Sequence, residues 1–147
     1  MSCEFCSDDL KPFFRTQHWS MLLSDNQAYL GRIVLALNRH AKSISELTTE
    51  EWNDLHAAMK KFEDASKKAF GATMLNWTCL MNNAYKEKPA NPHMHWHARP
   101  RYDHEVNFAG EVFVDKEFGR HHNEAVNRKV SPEVAKAIES ELLKYLR

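Results

Sequence analysis

Short segments in which hydrophobic and polar residues alternate make up much of the chain, and they predict strands. The aliphatic run 29–37 is typical of a mostly buried strand, with 18–23 as a candidate hairpin partner and turn residues at 25–26 between them. Segments 73–81 and 93–99 alternate as half-buried strands do. We therefore expect an antiparallel arrangement built from these four segments.

A long amphipathic helix is predicted after Thr48. Thr48 and Glu51 have the spacing of a capping box, and Leu47 and Trp52 have that of a hydrophobic staple. Gly71 is placed to end the helix. The predicted apolar face consists of Trp52, Leu55, Met59, Phe62 and Ala69.

A second, shorter helix is predicted at the end of the chain. Ser131 is a suitable N-cap and Pro132 suits the first helical position. Its apolar stripe is Val134, Ile138, Leu142 and Tyr145. The segments between the elements, 82–92 and 102–130, are expected to be loops. Antiparallel strands with one long helix against them and a shorter C-terminal helix indicate the α+β class.

Composition limits the function classes without choosing among them. The 147 residues are 43% hydrophobic and 27% charged, with only 4 Gly and 5 Pro, so we expect one folded domain over residues 1–147 and no linker. Twenty basic and twenty acidic residues cancel, which argues against a general binder of nucleic acid or anionic membranes. No apolar run approaches the length of a membrane span, and residues 1–10 lack a signal-peptide pattern, so a cytoplasmic location is expected.

The segment 93–97 is the most informative part of the sequence. His93, His95 and His97 alternate with apolar residues, so on a strand the three imidazoles share one face. One zinc ion cannot easily bind all three, because the outer two lie about 13 Å apart on a straight strand. Neutral imidazole is a good nucleophile near pH 7, so the remaining interpretation is nucleophilic attack on a phosphate. The central histidine is best placed for this role, because it has another histidine on either side.

Residues 93–101 resemble the signature of the histidine triad nucleotide hydrolases and transferases. Segment 35–40, ending in Arg39 and His40, and segment 47–51 resemble other parts of that family. The resemblance covers residues 20–102, with 103–147 as a C-terminal extension. It implies a five-stranded antiparallel sheet and a homodimer.

The resemblance also implies residue roles. His95 would attack the α-phosphorus of a nucleotide, His97 would polarise the phosphate oxygens, and His93 would support the network. Asn82 would contact phosphate or ribose. Arg99 would either add a cation for phosphate or be an exposed strand-end residue. Dinucleoside polyphosphates, as for diadenosine polyphosphate hydrolases, or nucleoside phosphoramidates are the implied substrates, and a histidine rather than glutamine at 97 favours hydrolase over transferase.

The C-x-x-C pair at Cys3 and Cys6 indicates half of a zinc site or a redox pair. Some relatives of the resembled family bind zinc through such a pair together with histidines that correspond to His40 and His93. A structural zinc is therefore an expected cofactor, against the alternative of a metal-free terminus.

Two departures from the resembled pattern bear on the reaction. Ala90 stands where many relatives have a hydroxyl residue that helps to protonate the leaving group, and Arg32 stands where many have a histidine. Two alternatives therefore stay open: a nucleotide-binding module with little catalysis, and a metal-dependent hydrolase that uses two of the histidines as ligands.

Overall fold

The structure, a computed structural model, describes residues 3–147. Five strands form one antiparallel sheet in the order β1-β2-β3-β5-β4, and the last two form a separate hairpin. The expected five-stranded α+β architecture is confirmed. The strands are β1 (Phe14–Arg15), β2 (Trp19–Leu23), β3 (Ile33–Leu37), β4 (Met74–Thr78), β5 (His95–Arg101), β6 (Val106–Phe108) and β7 (Glu111–Phe113).

The two α-helices begin where the sequence predicts. In α1 (Thr49–Phe70), the Thr48 side chain accepts a hydrogen bond from the backbone of Glu51, whose carboxylate accepts one from the backbone of Thr48. Gly71 ends this helix with φ of 71°, a left-handed conformation that suits glycine. Ser131 caps α2 (Pro132–Leu146) through the backbone N–H of Val134.

Helix α1 covers one face of the sheet, with α2 packed against α1, and the other face carries polar side chains. Helix α1 packs against α2 and against β2 and β4. Apolar residues from the inner faces of the strands and helices form the core, including Leu35, Leu37, Met94, Ala98, Leu55, Phe62, Ile138 and Leu142. The opposite face of the central strand β5 therefore carries the site.

Several predicted element boundaries are wrong, because hydrophobicity reports burial and not strand pairing. Tyr29 and Leu30 are buried in a turn, where the Gln27 side chain and the Tyr102 hydroxyl bond to the backbone, so β3 begins only at Ile33. Strand β5 starts at residue 95 instead of 93 and runs on to 101. The region 102–130 also contains the β6–β7 hairpin, which was not predicted.

Both predicted helix stripes include one residue that lies outside the core. Trp52 is 40% exposed and Tyr145 is 38% exposed, whereas Ala58, Ala65 and Leu146 are buried. The small residues were missed because alanine adds little to a hydrophobic pattern. No helix among residues 3–147 has the length and apolar character needed to cross a membrane.

Candidate active site

The predicted alternation along β5 is present in the structure. Met94 and Ala98 are buried in the core, while His95 and His97 lie half-buried on the opposite face with ring centroids 5.0 Å apart. His93 precedes the strand and is 4% exposed. All three histidines line one cavity of about 470 Å³.

The central histidine, His95, has a fixed tautomer. Its Nδ1 lies 2.7 Å from the backbone carbonyl of His93. A carbonyl only accepts hydrogen bonds, so Nδ1 carries the proton and donates it. The lone pair is consequently on Nε2, where a nucleophile or a base needs it.

His97 occupies a drier position on the same face. Desolvation, together with the nearby positive or ionisable groups of His95 and Arg99, lowers its pKa to about 4. The imidazole is therefore neutral at pH 7. Its Nδ1 is buried without a hydrogen-bond partner, so one polar atom of this ring is left unsatisfied beside the cavity.

His93, which also lines the cavity, belongs to a cluster with Cys3, Cys6 and His40. The four candidate ligand atoms all lie within 4.8 Å of one another. His93 Nδ1 is 3.3 Å from Cys3 Sγ, 3.5 Å from Cys6 Sγ and 3.1 Å from His40 Nδ1. The structure thus brings together the four residues that the sequence predicts as zinc ligands.

The chemistry of this cluster fits zinc. Bonds of about 2.3 Å to sulfur and 2.0–2.1 Å to nitrogen, arranged tetrahedrally, put the ligand atoms roughly 3.3–3.8 Å apart. His93 Nε2 donates to the carbonyl of Leu37 at 2.7 Å, which leaves the Nδ1 lone pair directed at the cluster. Desolvation, a hydrogen bond and the nearby Cys3 raise the pKa of Cys6, and a bound cation would offset this effect.

Phe5 connects the cysteine cluster to the catalytic face. It lies in a 3-10 turn, Glu4–Cys6, and its ring centroid is 5.3 Å from that of His93 and 5.0 Å from that of His95. It also lines the cavity. Phe5 therefore forms an apolar wall of the cavity beside the ring of His95.

Asn82, the predicted contact to phosphate or ribose, is not among the residues that line the cavity. Asn82 is exposed at the start of a 3-10 turn, Asn82–Lys86, and it is Asn83 and Asn91 that line the cavity. The role of Asn82 stays a prediction, and the neighbouring Asn83 and Asn91 were missed. An asparagine pair at 82–83 offered no sequence signal that distinguishes one from the other.

Of the two interpretations of Arg99, the exposed strand-end residue is wrong. It is 1% exposed and lies on the same face as the histidines. Its Nη1 donates to Thr78 Oγ1 and its Nη2 to Glu124 Oε1, both at 3.1 Å. The segment that supplies Glu124 was predicted only as a loop, and no pattern in it signalled the contact.

Comparison with solved structures places this geometry in a known fold. A hypothetical histidine triad nucleotide-binding protein from Sulfolobus tokodaii superposes with a TM-score of 0.72 at 14% identity, covering 98% of this chain and 91% of its own. The chain has the histidine triad fold. No protein-family model and no curated protein matches the sequence.

Two further structures with this fold are relevant to the site. A zinc-bound histidine triad family protein from Mycobacterium smegmatis has a TM-score of 0.61 at 16% identity, covering 97% of this chain and 94% of its own. A uridylyltransferase has a TM-score of 0.61 at 21% identity over 97% of this chain. The chain spans 48% of the length of that transferase. Similarity to this chain's fold thus extends to a protein about twice its length.

Proposed function

We propose that this chain is a histidine triad nucleotide hydrolase that acts at the α-phosphorus of dinucleoside polyphosphates or nucleoside phosphoramidates. The observation that carries the proposal is the Nδ1–H of His95 held by the His93 carbonyl, which leaves Nε2 as a nucleophile facing a cavity. A cavity of about 470 Å³ is in the size range of small-molecule sites. The histidine triad fold and its nucleotide-binding example from Sulfolobus tokodaii support the substrate class.

The first step transfers the nucleotidyl group to His95. The Nε2 lone pair forms a bond to the α-phosphorus, and the bond from phosphorus to the leaving group breaks, with its electron pair going to that group. His97 is neutral and desolvated, and donates a hydrogen bond to a non-bridging phosphate oxygen as the negative charge develops. Such fixed donors in a dry site supply much of the rate enhancement.

The second step returns the enzyme to its starting state. A water molecule attacks the phosphorus, the bond from phosphorus to Nε2 breaks, and the electron pair returns to the imidazole. The proton of the water is released, and the products are a nucleoside monophosphate and the leaving group. His93 positions the nucleophile in both steps through its backbone carbonyl.

Cys3, Cys6, His40 and His93 would hold a structural zinc ion. When bound, the zinc cross-links the N-terminal segment to the sheet and neutralises thiolates. This chain's own residues make the connection to catalysis, because His93 belongs to the cluster and also accepts the hydrogen bond of His95. Within residues 3–147, these four side chains form the one cluster of three or more His, Cys, Asp or Glu groups close enough to share an ion, and His95 and His97 lie outside it.

Trapping of the covalent intermediate tests the proposal. The protein is incubated with diadenosine polyphosphates and adenosine phosphoramidates, quenched, and examined by mass spectrometry for adenylate on His95. His95→Ala should lose both turnover and adduct while keeping its circular dichroism spectrum. His56→Ala, at an exposed histidine on α1, is the matched control and should keep both.

Two results would contradict the mechanism: turnover by the His95→Ala variant, or an adduct on another residue. Tight binding of adenosine monophosphate without turnover of any of these compounds would favour the binding-module alternative. Loss of turnover on chelation with no fall in melting temperature would favour the metal-dependent alternative, because removal of a structural zinc should lower both.

The oligomeric state and cellular location are separate proposals. We propose a homodimer, as the resemblance implies, and light scattering on a size-exclusion column tests it. A cytoplasmic location stays a prediction, as does the absence of nucleic-acid binding that the balanced charge implies.

A further inference from the structure

Two arginines lie side by side just beyond His97 on the catalytic face. Strands β3 and β5 pair Val34 with His97 and Ile33 with Ala98. Continuing this register by one residue brings Arg32 opposite Arg99. Arg99 lies two residues after His97, about 7 Å further along β5, since each residue of a strand adds about 3.3 Å.

This pair is charged and incompletely satisfied. Burial, and then the charge of Arg32, lowers the pKa of Arg99 to about 10, so its guanidinium is still protonated at neutral pH. Desolvation also lowers the pKa of Arg32. The Nε atoms of both residues are buried without a hydrogen-bond partner. Buried guanidinium donors without acceptors are costly, so the pair is under-neutralised by its present partners.

The counter-ion of the pair is a single, solvent-facing carboxylate. Glu124 Oε1 accepts from Arg99 Nη2 at 3.1 Å and lies 2.6 Å from His122 Nε2, yet the Glu124 side chain is 63% exposed. The neighbouring pair of Arg101 and Asp115 is different, because both side chains are almost fully buried, at 2% and 1% exposure. Solvent anions cannot reach the ion pair of Arg101 and Asp115, whereas the exposed Glu124 carboxylate can be exchanged for another anion.

We propose that Arg99 and Arg32 form a second anion subsite, which binds the leaving polyphosphate of the substrate once that anion displaces the Glu124 carboxylate. This inference rests on the proposed function and narrows it from two substrate classes to one. A polyphosphate leaving group gains negative charge as its bond to the α-phosphorus breaks, and the two guanidinium groups stabilise that charge. The leaving amine of a phosphoramidate gains nothing from them and requires a proton instead.

The test compares two leaving groups in matched variants. Arg99→Met removes the charge and keeps a long side chain, and Glu124→Gln keeps the size of the competing group while removing its charge. For each, kcat and KM are measured with diadenosine tetraphosphate and with adenosine phosphoramidate. Lys116→Met, which removes an exposed cation eight residues before Glu124, is the control.

Arg99→Met should lower kcat/KM for diadenosine tetraphosphate by about 10-fold to 100-fold, the usual effect of losing a charge-assisted hydrogen bond. Its kcat/KM for the phosphoramidate should change little. Glu124→Gln should lower KM for the tetraphosphate by up to about fivefold, since exposed ion pairs contribute at most about 1 kcal/mol. Lys116→Met should match the wild type with both substrates.

Binding of inorganic tripolyphosphate, measured by calorimetry, separates this inference from the proposed function. Binding that strengthens in Glu124→Gln and weakens in Arg99→Met supports the subsite even if no nucleotide is turned over. Conversely, turnover of both substrates with an unchanged ratio in Arg99→Met, and equal tripolyphosphate binding in all variants, would overturn it. If Arg99→Met fails to fold, Glu124→Gln decides: no gain in tripolyphosphate affinity contradicts the subsite.

Discussion

Acidification should destabilise the fold through His97. In the unfolded chain an ordinary histidine takes up a proton near pH 6.5, whereas in the folded protein His97 does so only near pH 4. The unfolded state therefore binds more protons in this interval. The stability associated with neutral His97 is fully present above pH 6.5 and is lost as the pH falls towards 4.

The size of the effect follows from the shift. A difference of 2.5 pKa units, 6.5 minus 4, corresponds to about 3 kcal/mol at 1.36 kcal/mol per unit. His97 is only partly buried, so solvent screening reduces this to about 1.5 kcal/mol. Against a typical free energy of unfolding of about 5–15 kcal/mol, such a loss is measurable.

Urea unfolding at pH 7.0 and pH 4.5 measures the effect. His97→Gln cannot take up this proton, so the difference in unfolding free energy between wild type and variant should shift by about 1.5 kcal/mol in favour of the variant at the lower pH. Comparing the two proteins cancels the acid sensitivity of the cysteine cluster, which both retain. A His56→Gln control on the exposed side of α1 should show no such shift. A wild-type-to-variant difference that is the same at both pH values would refute the argument.

Two other perturbations test the cysteine–histidine cluster and the buried ion pair of Arg101 and Asp115. Zinc removal by a chelator should lower the melting temperature and nucleotide turnover together, because His93 serves both sites; metal analysis and thermal scans check this, and turnover unchanged at zero zinc content would disprove the coupling. Asp115→Asn should cost about 3–5 kcal/mol of unfolding free energy, because it leaves the buried charge of Arg101 without its counter-ion. Chemical denaturation measures this cost, Asp103→Asn at an exposed carboxylate is the control, and a loss below 1 kcal/mol would contradict it.

Local sequence signals predicted those parts of the fold that local interactions determine. The capping box at Thr48 and Glu51 and the Ser131 cap depend on neighbours within three residues, so their spacing is readable directly. The alternation in residues 93–97 likewise fixes which side chains share a face. The exact ends of β3 and β5 depend on which distant strand offers partners, and no local pattern contains that information.

The same distinction applies to the site. The histidines and the CxxC pair are recognisable because rare residue types occur at chemically meaningful spacings. Glu124 is one exposed carboxylate among many in the sequence, and its contact with Arg99 spans 25 residues. The contact between Phe5 and His95 could not be predicted either, because a phenylalanine in the sequence does not indicate which ring it will contact.

The two-sided character of β5 determines how substitutions in it will fail. At positions 94 and 98, side chains fill the core, so replacements there reduce the yield of folded protein. If His95 and His97 act as we propose, replacements at these half-buried positions should leave a folded but inactive protein. A saturation library scored separately for abundance and for turnover would thus show two interleaved profiles along one strand, out of phase by a single residue.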